Sequence, residues 1–183
     1  MMRSSFGTFR GLVRLALSYP QTAWGLAALS PAEPEAVRRL VFVCQGNICR
    51  SAFADAVAQA EGMESASFGL STDTGRPAHG PAIVAARTLG YEMEGHSAVD
   101  RMDFEPCEGD LLLAMEVRQM HRLAADPRLG HLPRQLLGHW AQPRLPHLHD
   151  PYGLDDRYMA TCLARIERAV KRLIRDYPGA RLS

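Results

Sequence analysis

Residues 39–44, Arg-Leu-Val-Phe-Val-Cys, are apolar on both faces of any strand they form, and a helical pattern follows within a few residues, from Ser51 to Glu61, closed by Gly62. A strand with two apolar faces needs cover on both sides, the condition met by a parallel sheet between helices. The chain then repeats the unit. Ser65 to Leu70, Asp110 to Met115 and Arg134 to Leu137 read as further strands. Pro81 to Leu89, stopped by Gly90, and Glu116 to Ala125 read as helices, and so does Asp155 to Asp176. In the last of these Leu163, Ile166, Val170, Leu173 and Ile174 form the inner stripe, and Pro178-Gly179 is the stop. Strands alternating with helices predict an α/β fold, a four-stranded parallel sheet with helices on both faces, and right-handed crossovers leave few topologies. Ligands in such folds bind at the carboxyl ends of the strands, so the turn after Cys44 is where chemistry is expected.

That turn reads Cys44-Gln-Gly-Asn-Ile-Cys-Arg50-Ser51. It must curl enough to bring several backbone N–H groups to one point, and Gly46 and Asn47 are residue types that tolerate the left-handed conformations a curl needs. N–H groups converging at a helix N-terminus bind a tetrahedral oxyanion, and Arg50 adds a two-pronged fork for two of its oxygens. The Gly-Lys-Ser/Thr of nucleotide-binding loops is missing. A sulfur is offered instead, because a cysteine beside a helix N-terminus and an arginine favours its thiolate. The loop therefore brings together an anion site and a nucleophile.

The surrounding composition narrows the partners. The 183 residues carry 21 basic and 20 acidic side chains, a net charge of +1, so no global field recruits nucleic acid or membrane, and no nucleic acid is expected as a partner. Four cysteines, at 44, 49, 107 and 162, are too few and too scattered for a secreted disulfide framework, and the expected location is the reducing cytoplasm. His121, His131, His139, His147 and His149 match no zinc spacing and read as scattered surface residues, so no metal is expected.

Residues 1–36 differ from the rest. Up to Ala32 they hold Arg3, Arg10 and Arg14 and no acid, with Phe6, Phe9, Val13 and Leu17 on one helical face and the arginines beside it. Pro20 is expected to break this basic amphipathic helix, leaving Thr22 to Leu29 as a second apolar piece before the linker Ser30-Pro-Ala-Glu-Pro. No apolar run reaches the ~20 residues of a bilayer span. Arg14 and Pro20 also spoil the apolar core of a signal peptide. The helix either packs on its own domain or contacts a membrane surface or a partner. The expected organisation is an extension and linker over 1–36, one domain over 37–178 and a tail over 179–183.

The motif Val-Cys44-x-Gly-Asn-Ile-Cys-Arg50-Ser51 after a strand resembles the active-site loop of the low-molecular-weight protein tyrosine phosphatases. The likeness continues through Gly95-His-Ser-Ala98, Leu111-Leu-Leu-Ala-Met-Glu116, Leu136-Leu-Gly138 and His149-Asp-Pro-Tyr-Gly153, over roughly Arg38 to Tyr177. The resemblance implies the phosphotyrosine protein phosphatase I-like fold and hydrolysis of phosphotyrosine through a phosphocysteine, without a cofactor. It implies Cys44 as nucleophile, Arg50 as phosphate ligand and Asp150 as general acid and then base, with Pro151 biasing the backbone of Asp150. Gln45, Gly46, Asn47, Ile48, Cys49 and Ser51 would form the phosphate loop, Ser51 bonding the thiolate and Asn47 locking the curl. Ser67 and His96 would support it, and Tyr152 would wall the substrate ring. Bacterial members often oppose tyrosine kinases of exopolysaccharide synthesis, so the partner implied is a phosphotyrosine protein, a bacterial tyrosine kinase in particular.

Departures from the family pattern bear on stability, at Ala52, and on substrate choice rather than on chemistry. Ala52 stands where many relatives have proline, Glu116 where aspartate is usual, and Gly153 where some carry a second aromatic. Residues 71–80, Ser-Thr-Asp-Thr-Gly-Arg-Pro-Ala-His-Gly, lack the aromatic specificity residue of relatives, which predicts a more open or polar cleft there. Cys49 is either packing or a disulfide partner that shields Cys44 from over-oxidation. Three alternatives compete. Arsenate reductases of this fold need two resolving cysteines where only Cys107 is available. Protein arginine phosphatases carry threonine at Ile48, and a silent phosphate-binding module has no use for Asp150.

Overall fold

The computed structural model describes residues 7–182. Strands β1 (Arg39–Cys44), β2 (Ser65–Gly69), β3 (Asp110–Ala114) and β4 (Arg134–Leu136) form one parallel sheet in the order β2-β1-β3-β4. Helix α1 (Phe9–Ala23) precedes the sheet, and α2 (Arg50–Ala60), α3 (Gly80–Thr88), α4 (Val117–Ala125) and α5 (Asp156–Asp176) alternate with its strands or follow them. The two-faced apolarity of β1 explains the layering. Leu40 and Phe42 pack into the core built with α2, α3 and α5, whereas Val41 and Val43 join Phe68, Leu112 and the α4 residues Met120 and Leu123 on the other face. All five residues expected as the inner stripe of α5 are buried, and Asp155 caps that helix by accepting from the Tyr158 amide at 2.8 Å.

The strand order reverses between β1, whose next strand lies to one side, and β3, which lies on the other. This switch point opens a crevice at the carboxyl ends of both strands. Cys44 ends β1 there and Glu116 follows β3. Beyond α5 the chain turns back, Ala180 is buried, and Leu182 donates its amide to the Gly62 carbonyl at 2.9 Å.

Helix α1 departs from the reading of its sequence in one way. Pro20 does not end it: the helix continues to Ala23, and the Trp24 amide bonds the Pro20 carbonyl at 3.0 Å. Proline removes the bond to the Ala16 carbonyl, but Ala16 is exposed, where water can meet that carbonyl, so one more turn survives. Its orientation bears on the roles left open for it. Gly11, Leu15 and Ser18 are the buried residues, and Phe9, Val13 and Leu17 of the apolar stripe face outward. Arg3 and Phe6 lie outside the described residues. Small side chains let α1 lie close to the domain, and Gly7, at φ +72°, touches so tightly that a Cβ there would come within 2.7 Å of the His149 ring and 2.9 Å of Leu154 and Tyr158.

Candidate active site

The curl between Cys44 and Ser51 is held by side chains from the loop itself, from α2, from β2 and from the segment around His96. Asn47 takes the left-handed conformation at φ +50°, as its residue type allows, whereas Gly46 does not have a positive φ. Gly46 borders the cleft, and a Cβ there would meet only Ile48 at 3.6 Å. The Asn47 side chain pins the curl from within: its Nδ2 donates to Ser51 Oγ and to Ser67 Oγ, each at 2.9 Å, and its Oδ1 accepts from the Val99 amide at 2.9 Å. His96 Nε2 meets the Asn47 carbonyl at 2.6 Å. Ser67 in turn donates to Asp55 Oδ2 at 3.0 Å, which ties β2 to α2 below the loop. Burial raises the pKa of Asp55, and hydrogen bonds from Ser65, Ser67 and Gln59 offset part of that rise. Gly69 leaves room for the curl, since a Cβ there would stand 3.1 Å from both Asn47 N and Gln45 O.

Cys44 Sγ, buried at the end of β1, lies 3.0 Å from Ser51 Oγ and accepts from the Asn47 amide at 3.3 Å. Both contacts suit a sulfur anion. Cys49, the N-cap of α2, is a free buried thiol, as is Cys44, and burial, then Cys44 and Asp150, push the pKa of Cys49 up. Cys44, Gln45, Gly46, Ile48, Cys49, Asp150 and Tyr152 line one cleft of about 190 Å³, joined by Ser71 and Arg76. Ser71 and Arg76 supply the polar side expected from the lack of an aromatic between 71 and 80. His79 from that same segment packs its ring on Tyr152, with centroids 4.9 Å apart.

Arg50 is the largest fully buried side chain among the described residues, 1% exposed. Its Nη1 donates to Glu116 Oε1 at 2.6 Å and to the Leu148 carbonyl at 2.9 Å. Its Nη2 lies 2.6 Å from Asp150 Oδ2, an ion pair by distance that lacks hydrogen-bond alignment. Nε and Nη2 therefore have no hydrogen-bond partner among the described residues, and a buried guanidinium with two spare donors is suited to a tetrahedral anion. Burial alone would lower the pKa of Arg50, but Asp150, Glu116 and Cys44 outweigh it and raise it. Glu116 occupies the position noted above as a departure from aspartate, and it also accepts from Arg118 Nε at 2.7 Å. Burial pushes its carboxyl up, yet Arg50 and Arg118 hold its pKa down to about 2.

That depression makes Glu116 a pH-dependent element of stability. Its folded pKa of about 2 lies below the ordinary 4.5. Its contribution is therefore fully present above pH ~4.5 and is lost as pH falls toward 2. Glu116→Gln is expected to destabilise the protein by ~3 kcal/mol at pH 7, because the buried Arg50 loses its one fully buried carboxylate partner. The gap between the parent and the variant in urea midpoint should narrow between pH 4.5 and 3. A gap that stays constant over that range would remove Glu116 as the titrating group.

Three of the five histidines read as surface residues are not: His139 is half-buried, and burial lowers its pKa. His147 is buried, with Nδ1 3.8 Å from Glu116 Oε2, and burial lowers its pKa to about 4 despite Glu116. His149, half-buried, meets Thr8 Oγ1 of the α1 cap at 3.0 Å, and burial lowers its pKa as well. His147 and His149 lie in the loop that delivers Asp150, where neither helical nor strand periodicity marks which side chains turn inward. No group of histidine, cysteine and carboxylate suited to a metal occurs among the described residues.

The sequence model of the low molecular weight phosphotyrosine protein phosphatases matches residues 39–181. The low molecular weight protein-tyrosine-phosphatase Wzb of Escherichia coli K12 is 31% identical over 138 residues, covering 73% of this chain and 90% of the relative. Etp of Escherichia coli O157:H7, another protein of that description, is 28% identical over 142 residues, covering 74% and 95%. Among solved structures, the tyrosine phosphatase Wzb from Escherichia coli K30 in complex with sulphate superposes with a TM-score of 0.64 at 25% identity, covering 76% of this chain and 97% of that one. The YwlE arginine phosphatase from Geobacillus stearothermophilus shares the fold, with a TM-score of 0.64 at 23% identity over 75% of this chain and 91% of its own. With the loop, the buried arginine and Asp150 gathered at the switch point of the sheet, this chain belongs to the low molecular weight phosphotyrosine protein phosphatase family.

Proposed function

We propose that this chain hydrolyses phosphotyrosine in proteins, with residues 37–178 as the catalytic domain, residues 1–36 as an extension and residues 179–183 as a tail. The observation that carries the reading is that Cys44 and Asp150 line one cleft while the buried Arg50 keeps Nε without a partner and Nη2 in an ion pair that lacks hydrogen-bond alignment, donors an oxyanion can engage. In the first step the Cys44 thiolate attacks phosphorus, the S–P bond forms as the P–O bond to the phenol breaks, and Asp150 gives its proton to the departing oxygen. Arg50 and the amides of residues 45–51 hold the phosphoryl oxygens as charge shifts among them. In the second step Asp150 takes a proton from water, the water oxygen attacks phosphorus, and the S–P bond breaks to return the thiolate and release phosphate. Ser51 steadies the thiolate in its leaving and attacking roles, Asn47, Ser67 and His96 hold the curl, and Tyr152 with His79 flanks the ring of the substrate.

A phosphotyrosine-bearing bacterial tyrosine kinase in the cytoplasm is the substrate we favour. The Wzb and Etp relatives are phosphatases of bacterial cells, and the free Cys44 and Cys49 suit a reducing compartment. The test is release of inorganic phosphate by the purified full chain from a phosphotyrosine peptide, a phosphoarginine peptide and a phosphoserine peptide of one sequence. The phosphotyrosine peptide should exceed the others by at least tenfold in kcat/KM, because a flat ring fits between Tyr152 and the loop and Ile48 offers no polar contact to a guanidine. Preference for phosphoarginine would overturn the substrate while leaving the loop chemistry intact.

A further inference from the structure

Seven of the eleven large apolar side chains exposed among the described residues fall between Phe9 and Leu29. Phe9 is 72% exposed, Val13 40%, Leu17 56% and Trp24 75%. At 100° per residue Phe9, Val13, Leu17, Pro20 and Trp24 share one side of α1, opposite the buried Gly11, Leu15 and Ser18. A monomer rarely leaves such a patch to water without a use for it. Arg10 and Arg14 flank the stripe, and the first acidic residue of the chain is Glu33. The remainder of the chain carries 18 basic and 20 acidic side chains, so the surplus of positive charge sits in this segment alone.

We propose that the outer face of α1 docks on an anionic lipid surface. The 15 residues of α1 are too few to span a bilayer, and no helix among the described residues is long and apolar enough to do so, so the helix would lie in the interface plane. Its composition suits that place: an apolar stripe enters the acyl boundary, the arginines meet phosphate headgroups, and Trp24 brings an aromatic ring of the kind common at that depth. A second copy is a poorer occupant, since a two-fold contact through this face would set the flanking arginines of both copies against one another without an acid between them. The docked helix would also stand beside the loop that carries Asp150, because Thr8 meets His149 at 3.0 Å and the Tyr19 hydroxyl donates to the Arg144 carbonyl at 2.6 Å. The proposal holds whether or not phosphotyrosine is the substrate.

The experiment is co-sedimentation of the full chain with vesicles of phosphatidylcholine alone or mixed with a third phosphatidylglycerol. Binding to the anionic vesicles should exceed binding to the neutral ones by at least tenfold and fall several-fold in 0.5 M salt. Arg10→Ser with Arg14→Ser should weaken it about tenfold or more, by the effect of two charges near an anionic surface. Leu17→Asn with Trp24→Ser should abolish it while hydrolysis of para-nitrophenyl phosphate stays within twofold, which shows that the domain is still folded. Absence of vesicle binding, or equal binding to both vesicle types, would overturn the proposal. A dimer in sedimentation velocity that Leu17→Asn disperses would assign the face to a second copy and overturn it equally.

Discussion

Cys44→Ser is expected to bring hydrolysis of para-nitrophenyl phosphate below detection, a loss of more than about 10⁴-fold, with circular dichroism and thermal midpoint close to those of the parent. The reason lies in what surrounds the sulfur. Ser51 Oγ at 3.0 Å and the Asn47 amide at 3.3 Å are placed to steady a sulfur anion, but neither takes a proton from a hydroxyl at pH 7. Serine proteases solve that problem with a histidine base. In this site the nearest imidazole to the loop, His96, is spent on the Asn47 carbonyl at 2.6 Å, below the curl rather than at the nucleophile. A serine here would thus remain a protonated alcohol, while its oxygen could keep the hydrogen bonds of the sulfur and the curl its shape. The same variant should still bind phosphate, because Arg50 and the amides are untouched. Measurable turnover by Cys44→Ser would mean that a different group attacks phosphorus.

The parts of this protein that were legible beforehand are those where one residue has one energetic option. β1 and β3 are apolar on both faces, so they could only be central strands. Asp155 and Gly62 punctuate helices by capping and by φ +74°, and the Cys44 to Ser51 curl has few foldings that keep Asn47 and Arg50 useful. Helix α1 had two options. An apolar stripe of Phe9, Val13 and Leu17 is ordinarily drawn to the core, but Gly11 and Ser18 give the opposite side the closer approach, and the Leu15 side chain suffices to anchor it. A pattern of hydrophobicity cannot weigh that difference in shape. The inward turn of His147, the packing of His79 on Tyr152 and the gap left by Gly69 were hidden for a related reason. They depend on loops meeting across the sheet, at 69, 79, 99 and 145–150, and loops carry no period to read. Glu116 stood out only as a departure from aspartate; that it holds Arg50 follows from β1 and β3 being neighbours, which topology alone reveals.

Asp150→Asn is expected to cost between about 10² and 10⁴ in kcat/KM for phenyl phosphate, the span associated with a lost general acid. Phenolate is a poor leaving group, since a phenol of the tyrosine type has a pKa near ~10, so its oxygen needs a proton as the P–O bond breaks. Asp150 is placed for this, one-third exposed at the mouth of the cleft with Oδ2 2.6 Å from Arg50 Nη2. Asparagine keeps the size but not the acid. A dinitrophenolate leaves without help, so kcat/KM for dinitrophenyl phosphate, which reports only the steps through phosphoryl transfer, should fall by less than about tenfold. The two losses must differ, because the ion pair with Arg50 is broken in the variant for every substrate alike, whereas the proton matters only to the poor leaving group. Turnover separates the second role of the same carboxylate. With no base to draw a proton from water, the phosphocysteine should accumulate, and mixing the variant with dinitrophenyl phosphate should release one equivalent of phenolate in a burst followed by a slow phase. Equal losses for both esters would leave Asp150 as a partner of Arg50 alone, and a missing burst would take the hydrolytic step away from it.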